Sequence, residues 1–456
     1  MATPIDQLEI PRVDFDFADA EEHRAVLAEL ATRTWIARGT FAYTVFTYED
    51  CQAILRDKRW HNAASLATEM MGVDDPRIKE RRRESILSAE GDVHTRLRRL
   101  VAPAFSPRSA DRLRPFMREV VNSLVDAVAP AGRCDLAADV CDPYPIPIIC
   151  ELLGAPAEDW QLFSQWAEDV LRIFNATAAE EVDVIVAAQD ALDGYTRNLI
   201  AQRRSRPADD LITSLIAAEE AGDRLSEEEL VMMVNAVIVG GTDTTRNQLG
   251  CAVALFTDHP DQWKLLAEDP SLAPRAVEET MRYVGAVRAT GRFASEDIEY
   301  KDILFPAGTI VTPALAMANR DRSVYETPDR FDIRREPSGQ PHMTFGSGIH
   351  YCLGAALARA ELQEALPILA RLQTQLAAAW RRTAPCANDL TISVTSQSRA
   401  TATQPRAEAQ DSPANTPSRT SRVSNAAGGA SKPSWHGSGP IAHCVQAGLL
   451  GACPHP

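Results

Sequence analysis

The chain has 456 residues, 45% of them hydrophobic, and its 47 Lys and Arg against 63 Asp and Glu leave a formal net charge of −16. That content supplies a large core, and the acidic balance argues against nucleic acid as a partner. No run reaches the roughly eighteen apolar residues of a membrane span, and Met1 to Phe17 is acidic with no apolar signal core. Nine scattered cysteines show neither disulfide nor zinc spacing. A cytoplasmic protein with no membrane anchor is expected.

In chain order, Phe41–Phe46 alternates like a short strand and Tyr48–Arg56 turns helical. Trp60–Ala89 is mixed, with Met70, Met71 and the basic cluster Arg81-Arg82-Arg83. Helical patterns follow over Ala110–Val128, Trp160–Phe174 and Glu180–Arg203, then a long apolar run from about Glu229 to Phe256 and a helix over Pro274–Tyr283. Residues Phe293–Val311 read as strands around the turn Pro306-Ala307-Gly308, and Pro328–Pro341 as a polar meander. Asp389–Val394 offers one more strand. From Ser398 to Pro456 the chain is rich in Ser, Ala, Thr, Pro and Gly without an apolar period and reads as disordered or aberrant.

Chemistry concentrates in four places. The stretch Phe345-Gly346-Ser347-Gly348-Ile349-His350-Tyr351-Cys352-Leu353-Gly354 sets three glycines around one cysteine just before a helical pattern. Gly346, Gly348 and Gly354 permit left-handed backbone and close approach of a flat partner. Amide N–H groups and the helix dipole favour a thiolate at Cys352, which suits a metal ligand. The glycine pair in Val239-Gly240-Gly241-Thr242-Asp243-Thr244-Thr245 weakens its helix locally and opens a groove, with a carboxylate and a hydroxyl beside it. Glu279 and Arg282 share a helix face. His94 and Arg98, four apart, point from one face towards an anionic partner.

The decapeptide resembles the haem-binding loop of the cytochromes P-450, Phe-Gly-x-Gly-x-His-x-Cys-x-Gly, at every fixed position. The resemblance runs in order from about Phe41 to Leu372. It implies a mainly α fold with small β-sheets (α+β), one large haem domain over residues 1–397 whose match weakens after about 372, and a separate tail over 398–456. Haem b would lie between the long central helix and the cysteine-loop helix, with Cys352 as the iron ligand. Asp243 and Thr244 take the proton-delivery roles; His94, Arg98, Arg292 and His350 hold the propionates; Phe345, Gly346 and Gly354 complete the cradle. Glu279, Arg282 and Arg330 form a structural triad. Met70, Ile86, Leu171, Phe174, Val237, Gly241 and Arg288 are placed around the substrate.

The function so implied is a monooxygenase that activates O2 with two externally supplied electrons and oxidises a mostly apolar small molecule. The electrons come from a ferredoxin or flavodoxin with its reductase, meeting basic groups such as Arg96, Arg99, Arg112 and Arg359, and the enzyme acts as a monomer. Arg288, Thr290 and Arg292 alternate, so a strand there presents all three on one face, and Arg288 in the cavity points to a substrate with an acidic group. A peroxide-driven enzyme, or a haem-binding protein without turnover because of the altered C-terminus, are the alternatives.

Overall fold

The computed structural model describes residues 2–383 apart from 14–19, 71, 132–133, 176 and 221–224. The expected strand Asp389–Val394 and the tail from Ser398 lie outside the described residues.

The long apolar run forms the central helix Glu227–Asp258, buried on most of its faces. Its start is set by a reciprocal cap: the Ser226 hydroxyl accepts from the Glu229 amide at 3.0 Å, and the Glu229 carboxylate accepts from the Ser226 amide at 2.8 Å. The helix continues without a break through Gly240-Gly241, so the expected local weakening takes a milder form. Thr242 and Thr244 each turn a hydroxyl back to the carbonyl four residues earlier, Ile238 at 3.0 Å and Gly240 at 2.8 Å, a bond that competes with the helical ladder. Around this helix pack Pro145–Leu153, Trp160–Leu171, Val182–Ser205 and Ala273–Tyr283, sharing one apolar core with Pro107–Val128 and the helix Ala355–Thr383.

The sheets lie to one side with a core of their own, including Val45, Trp60, Ala294, Phe305 and Val311. Among the described residues eight strands contribute: β1 (Thr3–Pro4), β2 (Ile36–Arg38), β3 (Tyr43–Val45), β4 (Trp60–Asn62), β5 (Arg292–Ala294), β6 (Ile298–Tyr300), β7 (Ile303–Phe305) and β8 (Ile310–Pro313). The larger sheet runs β2-β3-β8-β5-β4, the smaller β1-β7-β6. Lys301 and Asp302, both at positive φ (52° and 59°), turn β6 into β7; this is the two-residue hairpin geometry that matches strand twist. The strand expected over Arg288–Arg292 begins only at Arg292, and the residues before it are extended backbone tied to neighbours by Thr290 N–H to the Pro313 carbonyl at 3.2 Å.

A buried carboxylate holds the approach to the cysteine loop. Glu279 accepts from Arg282 (Nε 2.8 Å, Nη2 3.0 Å), from Arg335 (Nε 3.0 Å to both oxygens) and from the Asp332 amide at 3.1 Å. The expected third member, Arg330, is corrected to Arg335. The Arg330 side chain is 71% exposed and pairs with Asp332, whereas that of Arg335 is 17% exposed. The turn from Thr327, itself at φ 48°, brings in the Arg330 carbonyl instead, as acceptor for Arg335 at 2.6 Å. Arg282 also donates to the Asn319 and Pro328 carbonyls at 3.0 and 2.9 Å. Asn319 passes the restraint on, accepting from the Met343 amide at 2.6 Å and donating to Thr344 Oγ1 at 3.0 Å.

Arg335→Ala leaves Glu279 buried with one guanidinium fewer, so it should cost about 3 kcal/mol. Arg330→Ala should stay within about 0.5 kcal/mol. Denaturant midpoints of the two variants check this; equal losses would overturn the reassignment.

Candidate active site

From Met343 the chain reaches Cys352 through a loop closed on itself. Gly346 N–H donates to the Met343 carbonyl at 2.7 Å, and Cys352 N–H to the Phe345 carbonyl at 2.9 Å. Gly346 and Gly348 have φ of 71° and 72°, as expected, but Gly354 does not adopt left-handed backbone. The three glycines do different work. A Cβ on Gly348 would lie 2.0 Å from the Leu55 carbonyl oxygen, so the loop is seated on helix Tyr48–Arg56 only because that atom is missing. A Cβ on Gly346 or Gly354 meets nothing within 4 Å. The helix Ala355–Thr383 starts at once after Gly354. Phe345 lies under the Arg359 guanidinium, 4.5 Å from ring centroid to carbon.

Burial pushes the Cys352 thiol up, against the lowering by the Gly354 amide and by Arg98 and Arg359. The loop amide at Gly354 lowers the thiol as expected of it, and desolvation by burial outweighs that lowering. A metal ion bound at the sulfur supplies the missing stabilisation, because coordination deprotonates a thiol outright.

The expected anion-binding residues converge near this loop. The rings of His94 and His350 lie 4.3 Å apart between centroids. His350 Nε2 is 2.9 Å from Glu90 Oε1, and that carboxylate also accepts from the Asn62 amide at 2.6 Å. Burial, with His350 and Arg98 close by, pushes His94 down to about 4, so it is neutral near pH 7. Arg292 is buried, and its guanidinium donates to Thr290 Oγ1 at 3.1 Å and to the Gly291 carbonyl at 2.8 Å. Arg98 donates to the Tyr351 carbonyl. Among the described residues neither arginine has a carboxylate within ion-pairing distance. Burial pushes Arg292 down to about 10, which leaves it charged at neutral pH. Two arginines against Glu90 alone, with two imidazoles beside them as further hydrogen-bonding groups, make a site built for further negative charge.

On the central helix Thr244 is exposed, with its hydroxyl on the Gly240 carbonyl. Asp243 is buried and held by Arg246 (Nε 3.1 Å, Nη2 2.8 Å) and Asn247 Nδ2 at 3.2 Å. Those two partners went unnoticed in the sequence, although their spacings of three and four are legible there. Gln248 was missed as well. Its side chain is buried and spans both ends of the next segment, donating to the Val284 carbonyl at 3.1 Å and accepting from the Ala286 amide at 2.8 Å. It thereby sets where the chain leaves helix Ala273–Tyr283 towards Arg288 and Arg292. Nothing local marks it, since its partners are 36 and 38 residues away.

Of the residues expected around the substrate, Leu171 and Phe174 share an apolar cluster against which Val239 of the central helix packs, and Ile86 and Val237 belong to the main helical core. A Cβ on Gly241 would meet Ile149 Cδ1 at 2.4 Å, so its glycine serves helix packing. Met70 and Arg288 are half-buried, and Arg288 already has a partner within the protein.

The group these residues fit has at least one anionic arm, a flat body and a metal. Among the described residues no three His, Cys, Asp or Glu side chains converge as a metal cluster, so a metal at Cys352 rests on one protein ligand and must bring its other ligands with it. Haem fits these demands: its propionates would answer Arg98 and Arg292, and its plane would find room at Gly346 and Gly354. Among the described residues no helix is long and apolar enough to cross a membrane.

Replacing Cys352 by Ala should abolish the carbon-monoxide difference band of thiolate-ligated haem; a retained band would remove Cys352 from the ligand role. Gly348→Ala adds left-handed strain of about 1 kcal/mol to the clash with Leu55. It should yield protein with a clearly lower ratio of Soret to protein absorbance, and an unchanged ratio would show that the loop seats elsewhere.

Comparison with known proteins agrees with this geometry. The sequence profile of the family described as Cytochrome P450 matches residues 156–373. Nocardicin C N-oxygenase of Nocardia uniformis subsp. tsuyamanensis is 39% identical over 344 residues, covering 74% of this chain and 84% of that protein. The crystal structure of CalO2 superposes with a TM-score of 0.73 at 33% identity, covering 78% of this chain and 91% of that one. A myxobacterial cytochrome P450 solved in complex with myristic acid gives a TM-score of 0.68 at 35% identity, covering 76% and 88%. By these likenesses, which its glycine-framed cysteine and buried arginines match, the chain belongs to the cytochrome P450 family and is a haem-dependent monooxygenase that oxidises small molecules.

Proposed function

We propose that the enzyme oxidises a mostly apolar small molecule bearing an acidic group, using two electrons supplied in succession by a ferredoxin or flavodoxin and its reductase. The observation that carries the oxygen-activating part is the pair on the central helix, an exposed Thr244 hydroxyl next to a buried, ion-paired Asp243. When bound, haem supplies the oxygen chemistry, and the protein's share is position, protons and exclusion of water.

Each residue then has a stated task. Cys352 Sγ would ligate the haem iron, and Arg98, Arg292, His94 and His350 would hold the propionates at the edge of the haem plane. Phe345, Gly346 and Gly354 leave the sulfur side open to that plane. Thr244 Oγ1 donates its proton to the Gly240 carbonyl in the resting arrangement, which turns its lone pairs outward as acceptors. To pass a proton, Thr244 must rotate off Gly240 and be resupplied. Asp243 is the carrier within reach along the chain, provided its carboxylate leaves Arg246 and Asn247. The Asp243–Arg246 pair therefore restrains the relay in the resting enzyme. A peroxide-driven reaction brings its own protons and has no use for such an arrangement.

The basic groups offered to the electron donor are engaged within the fold. Arg96 pairs with Glu229 at the start of the central helix, and Arg359 with Glu278 (2.6 and 3.0 Å) and the Tyr351 hydroxyl at 3.2 Å. Arg112, 3.6 Å from Asp209, remains largely exposed. An acidic donor that uses Arg96 or Arg359 has to compete with those carboxylates. Surface charge then contributes more to the rate of encounter than to affinity.

Thr244→Ala should leave reductant consumption within about threefold of wild type while product per electron pair falls roughly tenfold, the balance appearing as hydrogen peroxide. Measuring reductant, peroxide and product together checks this. Unchanged coupling would remove Thr244 from proton delivery.

A further inference from the structure

Helix Pro76–Glu84 carries three consecutive arginines, and two of them are treated in opposite ways. Arg81 faces helix Val182–Ser205, where Asp190 and Asp193 take its charge at 2.5 and 3.1 Å. Arg82 is one position on, about 100° round the helix, and meets different neighbours. Its Nε donates to the Ala64 carbonyl at 3.1 Å and its guanidinium carbon lies 5.2 Å from the centroid of Phe174. Among the described residues no carboxylate lies within ion-pairing distance of Arg82. Glu69, whose charge it feels, is exposed. Burial pushes the guanidinium down to about 10, so it is still a cation at neutral pH.

The surroundings of Arg82 lead back to the active site on both sides. Phe174 shares its apolar cluster with Val239, the residue before the carbonyl that holds Thr244. Ala64 follows Ala63, whose amide donates to the Gly291 carbonyl at 3.2 Å, next to Arg292. A half-buried cation that gives Nε and Nη2 to one carbonyl and lies over one ring has unused donors, because a guanidinium carries five N–H groups. Desolvating such a charge without an anion is costly, and the cost is recovered when a ligand supplies one in bidentate form.

We propose that Arg82 is a specificity-determining residue of this enzyme, binding the carboxylate of an apolar substrate whose body lies along Phe174. This rests on the reading that the substrate lies between the central helix and the Cys352 loop. It moves the acid-recognising cation from Arg288, singled out by sequence alternation, to a residue that alternation does not reach.

The test uses the haem-loaded enzyme and ω-(imidazol-1-yl)alkanoic acids of graded chain length, each paired with the alcohol of the same length. Imidazole anchors every probe at the iron and reports binding as a red shift of the Soret band, so affinity is read without turnover. At one or more lengths the acid should bind wild type at least about tenfold more tightly than its alcohol. Arg82→Gln should remove that preference while alcohol affinities stay within about twofold, and Arg82→Lys should restore part of it. Arg81→Gln should leave it intact. The proposal is overturned by no acid preference at any length, by a preference that survives in Arg82→Gln, or by equal weakening of acids and alcohols, the signature of a clamp that only holds the helix in place. If imidazole and the alcohols also produce no shift, the reading of the site itself fails and takes the proposal with it.

Discussion

The Glu279 carboxylate, almost fully removed from water, is the point on which the site depends. Alone it would cost several kcal/mol to bury. It is tolerated because Arg282, Arg335 and the Asp332 amide surround it with charge-assisted bonds, and because the two arginines also donate to the carbonyls of Asn319, Glu326, Thr327, Pro328 and Arg330, at and just before the start of the polar meander. A segment with little apolar content is thus held as firmly as a core element. Asn319 carries that rigidity to Met343 and Thr344, and so to the start of the cysteine loop. The Thr344 hydroxyl returns it to helix Ala273–Tyr283 by donating to the Met281 carbonyl at 2.7 Å. A loop rich in glycine has a high entropic cost of ordering, and this circuit of hydrogen bonds offsets it before any cofactor arrives.

Around the loop the balance of charge runs the other way. At Glu279 every charge is answered within the chain; at Arg98 and Arg292 the carboxylates are missing, and at Cys352 burial opposes the thiolate. These are the marks of a site completed from outside, and they make cofactor binding and stability one linked equilibrium. Arg82 likewise has no carboxylate within ion-pairing distance among the described residues, beside an Arg81 paired with Asp190 and Asp193.

Much of this was legible along the chain. The helices Tyr48–Arg56, Trp160–Leu171, Glu227–Asp258 and Ala273–Tyr283 follow from apolar periodicity, and the cysteine loop from its glycine spacing, because both are determined by neighbours within a few residues. Glu279–Arg282 and Asp243–Arg246 are pairs of one helix face and are equally local. The misreadings share the opposite property. Arg330 and Arg335 both follow the same turn, and only the path of the meander decides which side chain turns inward. Arg288 and Arg292 have the same parity, yet the strand starts at Arg292, where β4 and β8 come within reach.

Local order therefore decided the helices, the ligand and the class of chemistry, because a motif such as the cysteine loop carries its geometry in its own backbone. Tertiary packing decided which cations are answered and which are left for a ligand. That depends on distances between residues far apart in the chain: Arg282 and Asn319, Gln248 and Ala286, Arg82 and Phe174. It also decided that the Cys352 thiol is raised by burial, since desolvation is a property of everything packed around a group and of no residue in particular.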